Sequence, residues 1–500
     1  MSFRAIDFHL GMRYRRWNQL LATFWDRFPA LYLSFFFLIG IATVSMPVSC
    51  FGCLFSATKK KFVAGLVISA LGYFYFSSLY PTLTFEQEMT GNALVHIHHV
   101  KHHASPFKTS IIYEVTLKNF KTKNLTLKNL PCRLYLNKKE PRPPANRDYL
   151  LSHATLIESS PHYYLLKLTK NSSWQPVNLS FSFAEWRYQL KKKIRQRLKA
   201  QFSDRQVYHL VAALVTGDLE NRLLTFQFRR VGLQHLLVIS GFHFALLSLL
   251  LLACFRSYLP QRVSALILLL LLGSYAFYLG PAPSIGRAWT AVLIFLSARY
   301  LSYRFSVLNA LGVALFSALI ATPIIVFNIG FQLSFAATLG ILLFYTPLEK
   351  HLRSLLPQRP FAATLTLLPL DKLGYFITSY LRKVLALNGA VTLLTLPLVL
   401  FHFQKFPLLS FLYNLFFPLL FSLVLILALA SSIFPFLSTI TAFYANFLLQ
   451  LVNHAPRRLS YFLYFQCLTP EITFALLLIL LTVGITLYQK QSRPDTSVWV

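Results

Sequence analysis

A chain of 500 residues with 55% hydrophobic and 13% charged residues, and a mean hydropathy of +0.53, is excluded from the ordinary soluble globular class. Apolar runs of span length recur from Ala30 to Tyr488 with one long polar interruption, which predicts a polytopic α-helical membrane protein carrying one inserted soluble domain. Lys and Arg number 48 against 16 Asp and Glu, a formal +32 that exceeds what loop orientation requires and suits a polyanion or anionic lipid.

Arg4, Arg13, Arg15 and Arg16 precede the first apolar run with no small-residue cleavage site, so an uncleaved first span with a cytoplasmic N-terminus is expected. Residues 30–46 and 62–80 have span length and are separated by Pro47, Cys50-Phe-Gly-Cys53 and Lys59–Lys61. If 30–57 is one span, the polar domain that follows is cytoplasmic; if it is a hairpin broken at Pro47, that domain faces outward. About 28 residues are short for two spans of ~20, so a hairpin has to be re-entrant or thinned. The five cysteines (Cys50, Cys53, Cys132, Cys254 and Cys467) offer no disulfide framework, and the Cys50/Cys53 pair lies in an apolar stretch that suits packing better than redox chemistry.

From 84 to 183 the apolar period changes to two, as in Ile111-Ile-Tyr-Glu-Val-Thr-Leu117, Cys132-Arg-Leu-Tyr-Leu136 and Tyr163-Tyr-Leu-Leu-Lys-Leu168. Punctuated by Pro141-Arg-Pro-Pro144 and the Asn/Lys-rich 118–129, this predicts five or six short strands in a small barrel or sandwich. Residues 186–206 then combine Arg187, Lys191, Lys192, Lys193, Arg195, Arg197 and Lys199 with apolar Leu190, Ile194 and Leu198 on one face. That pattern predicts a basic amphipathic helix, which either contacts phosphates or lies on anionic lipid.

After a less hydrophobic helix at 207–224, spans are expected at 232–256, 263–280, 284–302, 307–327, 330–346, 384–402, 408–433, 437–455 and 471–489, about eleven in all with the first two. Arg353–Arg359 and Arg382-Lys383 read as cytoplasmic turns, with 361–380 a short span or an interfacial segment. No internal repeat of the transporter kind is visible.

Polar groups within such spans normally face a cavity or a partner helix. His235, Ser240, Gly241 and His243 interrupt the run 232–247, Arg287 follows Pro281-Ala-Pro-Ser-Ile-Gly286, Gln332 and Ser334 open another span, and Asn414 precedes Pro418 in a helix that must bend. A Ser240/His243 nucleophile pair would need an orienting group and an oxyanion hole that the sequence does not display, so the lining of a conduit is the better reading. His96-Ile-His-His-Val-Lys-His-His103 has no carboxylate where Val100 and Lys101 stand, so no metal site is expected, and the absence of a phosphate-cradling Gly-rich loop excludes nucleotide hydrolysis by that route. No cofactor is expected.

Ala212-Ala-Leu-Val-Thr-Gly-Asp218, Phe228, Gly232 and His235-Leu-Leu-Val-Ile-Ser-Gly-Phe-His243, followed in order by Gly286-Arg-Ala288, Pro323, Gly330-Phe-Gln-Leu-Ser-Phe335, Leu396-Pro397, Asn414 and Pro418, resemble the ComEC family of DNA-internalisation competence proteins. The resemblance spans about 30–455. It implies a multi-pass channel for single-stranded DNA in the inner, cytoplasmic membrane, not an enzyme, with an OB-like β-domain at 84–183 facing outward and hence the hairpin topology. It also implies a separate DNA receptor, a nuclease and a cytoplasmic motor or single-strand-binding protein as partners. Many members end in a metallo-β-lactamase-like domain, which has no counterpart here, and strand degradation is therefore not expected of this chain.

The resulting plan is a membrane segment at 1–83, the β-domain at 84–183, basic and linker helices at 184–224, a channel domain at 225–489 and a tail at 490–500. His235, Ser240, Gly241, His243, Arg287, Gln332, Ser334 and Asn414 are expected to line or shape the path, and the cations of 187–199 to contact DNA beside the lipid bilayer. Two other functions fit the residues: a permease for lipid-linked or small anionic substrates, and an intramembrane hydrolase using Ser240 and His243.

Overall fold

The computed structural model describes residues 17–56, 58–80, 88–104, 109–122, 126–137, 142–160, 163–168, 173–179, 181–237, 241–300, 306–357, 368–455, 462–464 and 468–491. Contacts divide the chain into two compact units, one of 1–79, 303–415 and 460–500, the other of 80–302 and 416–459.

In the first unit, α1 (Trp17–Arg27) meets α2 (Pro29–Thr43) at a bend of 105°. The stretch 30–57 is not one helix. After Thr43 the chain returns as a 3-10 segment, Pro47–Ser56, and α3 follows as Lys59–Leu79. Trp25 Nε1 donates to the Phe55 carbonyl at 2.9 Å, and Lys61 Nζ lies 2.8 Å from Asp26 Oδ1, so the return ends level with the start of α2. Ten residues of 3-10 helix rise about 20 Å, close to the ~22 Å of a 15-residue α-helix, which lets so short a stretch go out and back. α3 then runs beside α2 in the same direction. A Cβ on Gly72 would stand 2.5 Å from the Phe37 carbonyl oxygen, so the two backbones meet through missing side chains.

The same unit holds α10 (Val307–Ala321), α11 (Ile329–Leu355), α12 (Pro369–Phe403), the short α13 (Leu408–Tyr413) and α16 (Pro470–Gln491). The expected turn at Arg382-Lys383 is absent, because both residues lie within the continuous 35-residue α12. At 1.5 Å per residue that helix is about 52 Å long and overreaches a ~30 Å hydrocarbon layer.

The second unit begins with β1 (Met89–Ala104), β2 (Thr109–Lys121), β3 (Thr126–Leu127), β4 (Leu130–Asn137), β5 (Arg147–Ser160), β6 (Tyr163–Leu168) and β7 (Trp174–Leu179). Seven strands replace the expected five or six, and β1 and β5 are long, not short. The order β1-β2-β4-β6-β5, closed by β1 pairing with β5, makes a barrel; β4 and β6 run parallel and the other pairs antiparallel. Register shifts at Leu94/Val95 and Ile97/His99 let the 16-residue β1 bend around it and pair on both sides. Alternate residues fill the core, among them Ile111, Tyr113, Val115 and Leu117 from β2 and Cys132, Leu134 and Leu136 from β4.

Then come α4 (Phe183–Gln201), α5 (Arg205–Thr216), α6 (Arg222–Arg230), α7 (Gly241–Arg256), α8 (Gln261–Leu279), α9 (Pro283–Tyr300), α14 (Phe417–Ile433) and α15 (Ser438–Asn453). The run 232–256 is not one span: α6 stops at Arg230, Gly232 turns at φ 74°, Gln234–Leu236 form one 3-10 turn, and α7 starts at Gly241. Among the described residues six helices are long and apolar enough to cross a bilayer, or seven with α1 and α2 taken together, which supports several of the about eleven spans expected and does not establish that number. α7, α9, α10 and α14 are apolar but shorter. The whole is the architecture of a multi-pass membrane protein with a small inserted β-barrel.

Candidate functional site

α4 is the hinge of chemistry in the second unit. Ser182 caps it by accepting from the Glu185 amide at 3.4 Å, and Glu185 takes Arg142 Nη1 at 2.8 Å and the Ala145 amide at 2.7 Å, which ties the barrel to the helix start. The seven cations of the basic run divide by face. Arg187, Lys191 and Arg195, each one turn apart, point inward and are buried, whereas Lys192, Lys193, Arg197 and Lys199 are exposed. The inward stripe is cationic because an anionic partner waits for it. Lys191 Nζ donates to Asp218 Oδ1 at 3.1 Å and Arg195 Nη1 to Asp218 Oδ2 at 3.0 Å.

Asp218 reaches that position because Gly217 ends α5 at φ 73°, a conformation glycine adopts without strain. Arg195 Nε also pairs with Glu220 at 3.1 Å, with His102 of β1 at 3.6 Å from the same carboxylate, and Lys191 Nζ donates to the Leu279 carbonyl that ends α8 at 3.0 Å. Two cations and two carboxylates cancel in a buried cluster joining barrel, α4, the Gly-Asp turn and α8. Burial alone would raise the Asp218 carboxyl, but Lys191 and Arg195 outweigh it and hold it below the usual carboxylate range. Such a cluster holds elements in register and has no charge left over for a phosphate.

Beyond that turn, His235 is exposed, with Nδ1 3.2 Å from the Gly232 carbonyl, and His243 is buried in α7. Ser240 lies outside the described residues. Arg287 of α9 is brought against α7: a Cβ on Gly241 would stand 2.7 Å from Arg287 Nη2, so the guanidinium occupies the space the glycine leaves. α7, α8 and α9 share an apolar core of Phe244, Leu268, Leu272, Ile285 and Ala288. Gly241, His243 and Arg287 are thus collected on α7 and α9, with His235 on the 3-10 turn before them.

In the other unit Gln332 stands near the start of α11, which Asn328 caps by accepting from the Gly330 and Phe331 amides. Gln332 Nε2 donates to the Val326 carbonyl at 2.9 Å, which leaves Oε1 to accept from His402 Nε2 at 2.7 Å. Ser334 follows half-buried, its carbonyl accepting from Thr338 Oγ1 at 3.0 Å. Asn414 ends α13, with Nδ2 3.1 Å from Ser410 Oγ. His402, Glu349 and Arg382 were missed in the sequence. Arg382 is buried on α12, with Nε 3.3 Å from Glu349 Oε1 of α11 and Nη1 donating to the Leu356 carbonyl at 2.9 Å. A charge within an apolar run was the available signal for both. Among the described residues no group of three or more His, Cys, Asp or Glu side chains is placed to hold a metal ion.

A family model described as Competence protein matches residues 218–493, more than half of the chain. ComE operon protein 3 of Bacillus subtilis (strain 168) is 27% identical over 205 residues, which cover 40% of this chain and 23% of that relative's length. No solved structure matches. The family match begins at Asp218, the carboxylate around which the buried cations of α4 are gathered.

Proposed function

Because the chain belongs to the Competence protein family, we propose that it carries single-stranded DNA across the cytoplasmic membrane during natural transformation. Membership supports a role in DNA uptake; the strand, the membrane and the route are our reading. The observation that carries it is the Arg287 guanidinium held against Gly241 between apolar helices, a cation where a polyanion needs one and where cations are otherwise costly. In this reading Gly241, His243 and Arg287 shape the path within one unit, with His235 beside them, and Gln332, Ser334 and Asn414 contribute within the other.

We read the barrel as OB-like, supported by the closed order of five strands with one parallel pair, and place it on the outer face by the re-entrant hairpin before α3. The exposed Lys192, Lys193, Arg197 and Lys199 are the cations for phosphate contact, and Arg187, Lys191 and Arg195 are withdrawn from that role. A receptor, a nuclease and a cytoplasmic motor or single-strand-binding protein complete the pathway as partners. Deleting the gene and following labelled DNA tests the proposal: nuclease-resistant label inside the cell should vanish while surface-bound label persists. Internal label at the parental level in the deletion strain rejects it.

A further inference from the structure

The end of the barrel leaves a run of large apolar side chains uncovered. β7 exposes Leu179 at 73%, the short link after it exposes Phe181 at 75%, and the first turn of α4 exposes Phe183 at 55% and Trp186 at 46%. These rings are not scattered. Phe181 meets Phe183 edge to face at 4.9 Å between centroids, Phe183 meets Phe277 at 5.2 Å, and Trp186 meets Phe277 at 6.0 Å. A contiguous exposed aromatic patch is costly in water and marks a surface that something covers.

Phe277 identifies what covers it. It lies in the last turn of α8, a helix long and apolar enough to cross the bilayer. Val263, Leu266, Leu270 and Phe277 are all exposed, and at about 100° per residue they fall on one face within about 60°. That face is an exposed apolar stripe roughly 21 Å long at 1.5 Å per residue, of the kind a spanning helix turns to lipid, and it ends at the ring on which Phe183 and Trp186 pack. The aromatic patch therefore continues a lipid-facing surface at the height where that surface leaves the membrane. Phe and Trp with cations close by are the side chains that suit this boundary.

We propose that Leu179, Phe181, Phe183 and Trp186 form a membrane-interface anchor, immersed at the headgroup and acyl boundary of the leaflet in which α8 ends. The anchor fixes the start of α4, and so the barrel, on the bilayer surface by a contact separate from the buried ion cluster around Asp218. That contact does not depend on which polyanion the protein carries.

The test uses the full chain in phosphatidylethanolamine/phosphatidylglycerol vesicles, with the Trp186 emission isolated as the difference between the parent and Trp186→Phe. Lipids brominated near the top of the acyl chain should quench this emission more strongly than lipids brominated near its end, and aqueous iodide should leave it nearly untouched. In Phe181→Glu/Phe183→Glu, retained in the membrane, at least half of the shallow-bromine quenching should be lost and iodide should gain access. Iodide quenching of the parent without bromine quenching places Trp186 in water and overturns the anchor. Protection from both quenchers assigns the patch to a protein contact and overturns it equally. Undiminished bromine quenching in the double variant shows that the aromatic residues do not hold the site at the interface.

Discussion

Gly241 and Arg287 occupy one another's space: a methyl group at 241 would lie 2.7 Å from the guanidinium Nη2. The obstacle is the far end of a flexible side chain, not backbone, so Gly241→Ala should fold and insert with a stability change of about 1 kcal/mol or less while pushing the cation off its seat. Internalised DNA should fall about tenfold at unchanged protein level in the membrane. Equal decline of protein and uptake would reduce this pair to packing.

Asp218 neutralises Lys191 and Arg195 inside the second unit. Asp218→Asn leaves two buried cations with only Glu220 to offset them and should cost about 3–5 kcal/mol, seen as rapid proteolysis of the full chain near α4. Adding Lys191→Met restores one cation to one carboxylate and should recover more than half of the loss. A double variant no better than Asp218→Asn would show that charge balance is not what the cluster supplies.

The period of two at 111–117 and 132–136 revealed the barrel, because every inward residue of those strands is apolar. Its closure was not legible, since that depends on bulges in β1 which no alternation pattern records. The α4 helix was legible too, but not its orientation: apolar Leu190 and Ile194 are only half-buried, while the buried stripe is cationic. That inversion depends on Asp218, 27 residues beyond Lys191, and local periodicity has no access to it. Arg382-Lys383 misled for the same reason, since Glu349 compensates Arg382 from another helix. The signature residues around His235–His243 pointed to the right family but not to the interruption between Arg230 and Gly241, which shortens the expected span.

His99 is buried in β1 with its ring against Gly280, and burial drives its pKa down to about 4, despite the opposing pull of Glu114. An unfolded histidine titrates near 6.5, so the folded state binds fewer protons in this window. Stability from neutral His99 is complete above about pH 6.5 and is lost as pH falls toward 4, by up to about 3 kcal/mol. His98 shifts in the same direction, again through burial first. Protection factors of the β1 amides in the full chain, referred to the intrinsic exchange rate at each pH, should therefore fall between pH 6.5 and 4.5. His99→Leu should flatten most of that dependence, and an unchanged slope would remove His99 as its source.

The two faces of α4 separate binding from folding. Each of Lys192→Ala, Lys193→Ala, Arg197→Ala and Lys199→Ala should lower the log–log salt dependence of single-strand binding by about 0.7 for each phosphate no longer neutralised and leave the fold intact. Lys191→Met should leave that slope unchanged and disturb the fold instead. An unchanged slope in all four outward variants would take α4 out of the DNA-contacting surface.

Photocrosslinking during uptake tests the route itself. A photoreactive side chain in place of Ala291, exposed and one helical turn beyond Arg287 on the same face, reports what passes that face while the Arg287 seat stays intact. The account predicts crosslinks to one strand of labelled DNA only while cells are internalising it, with the yield falling about tenfold in Gly241→Ala. Continued uptake with crosslinks to lipid or protein alone would contradict it.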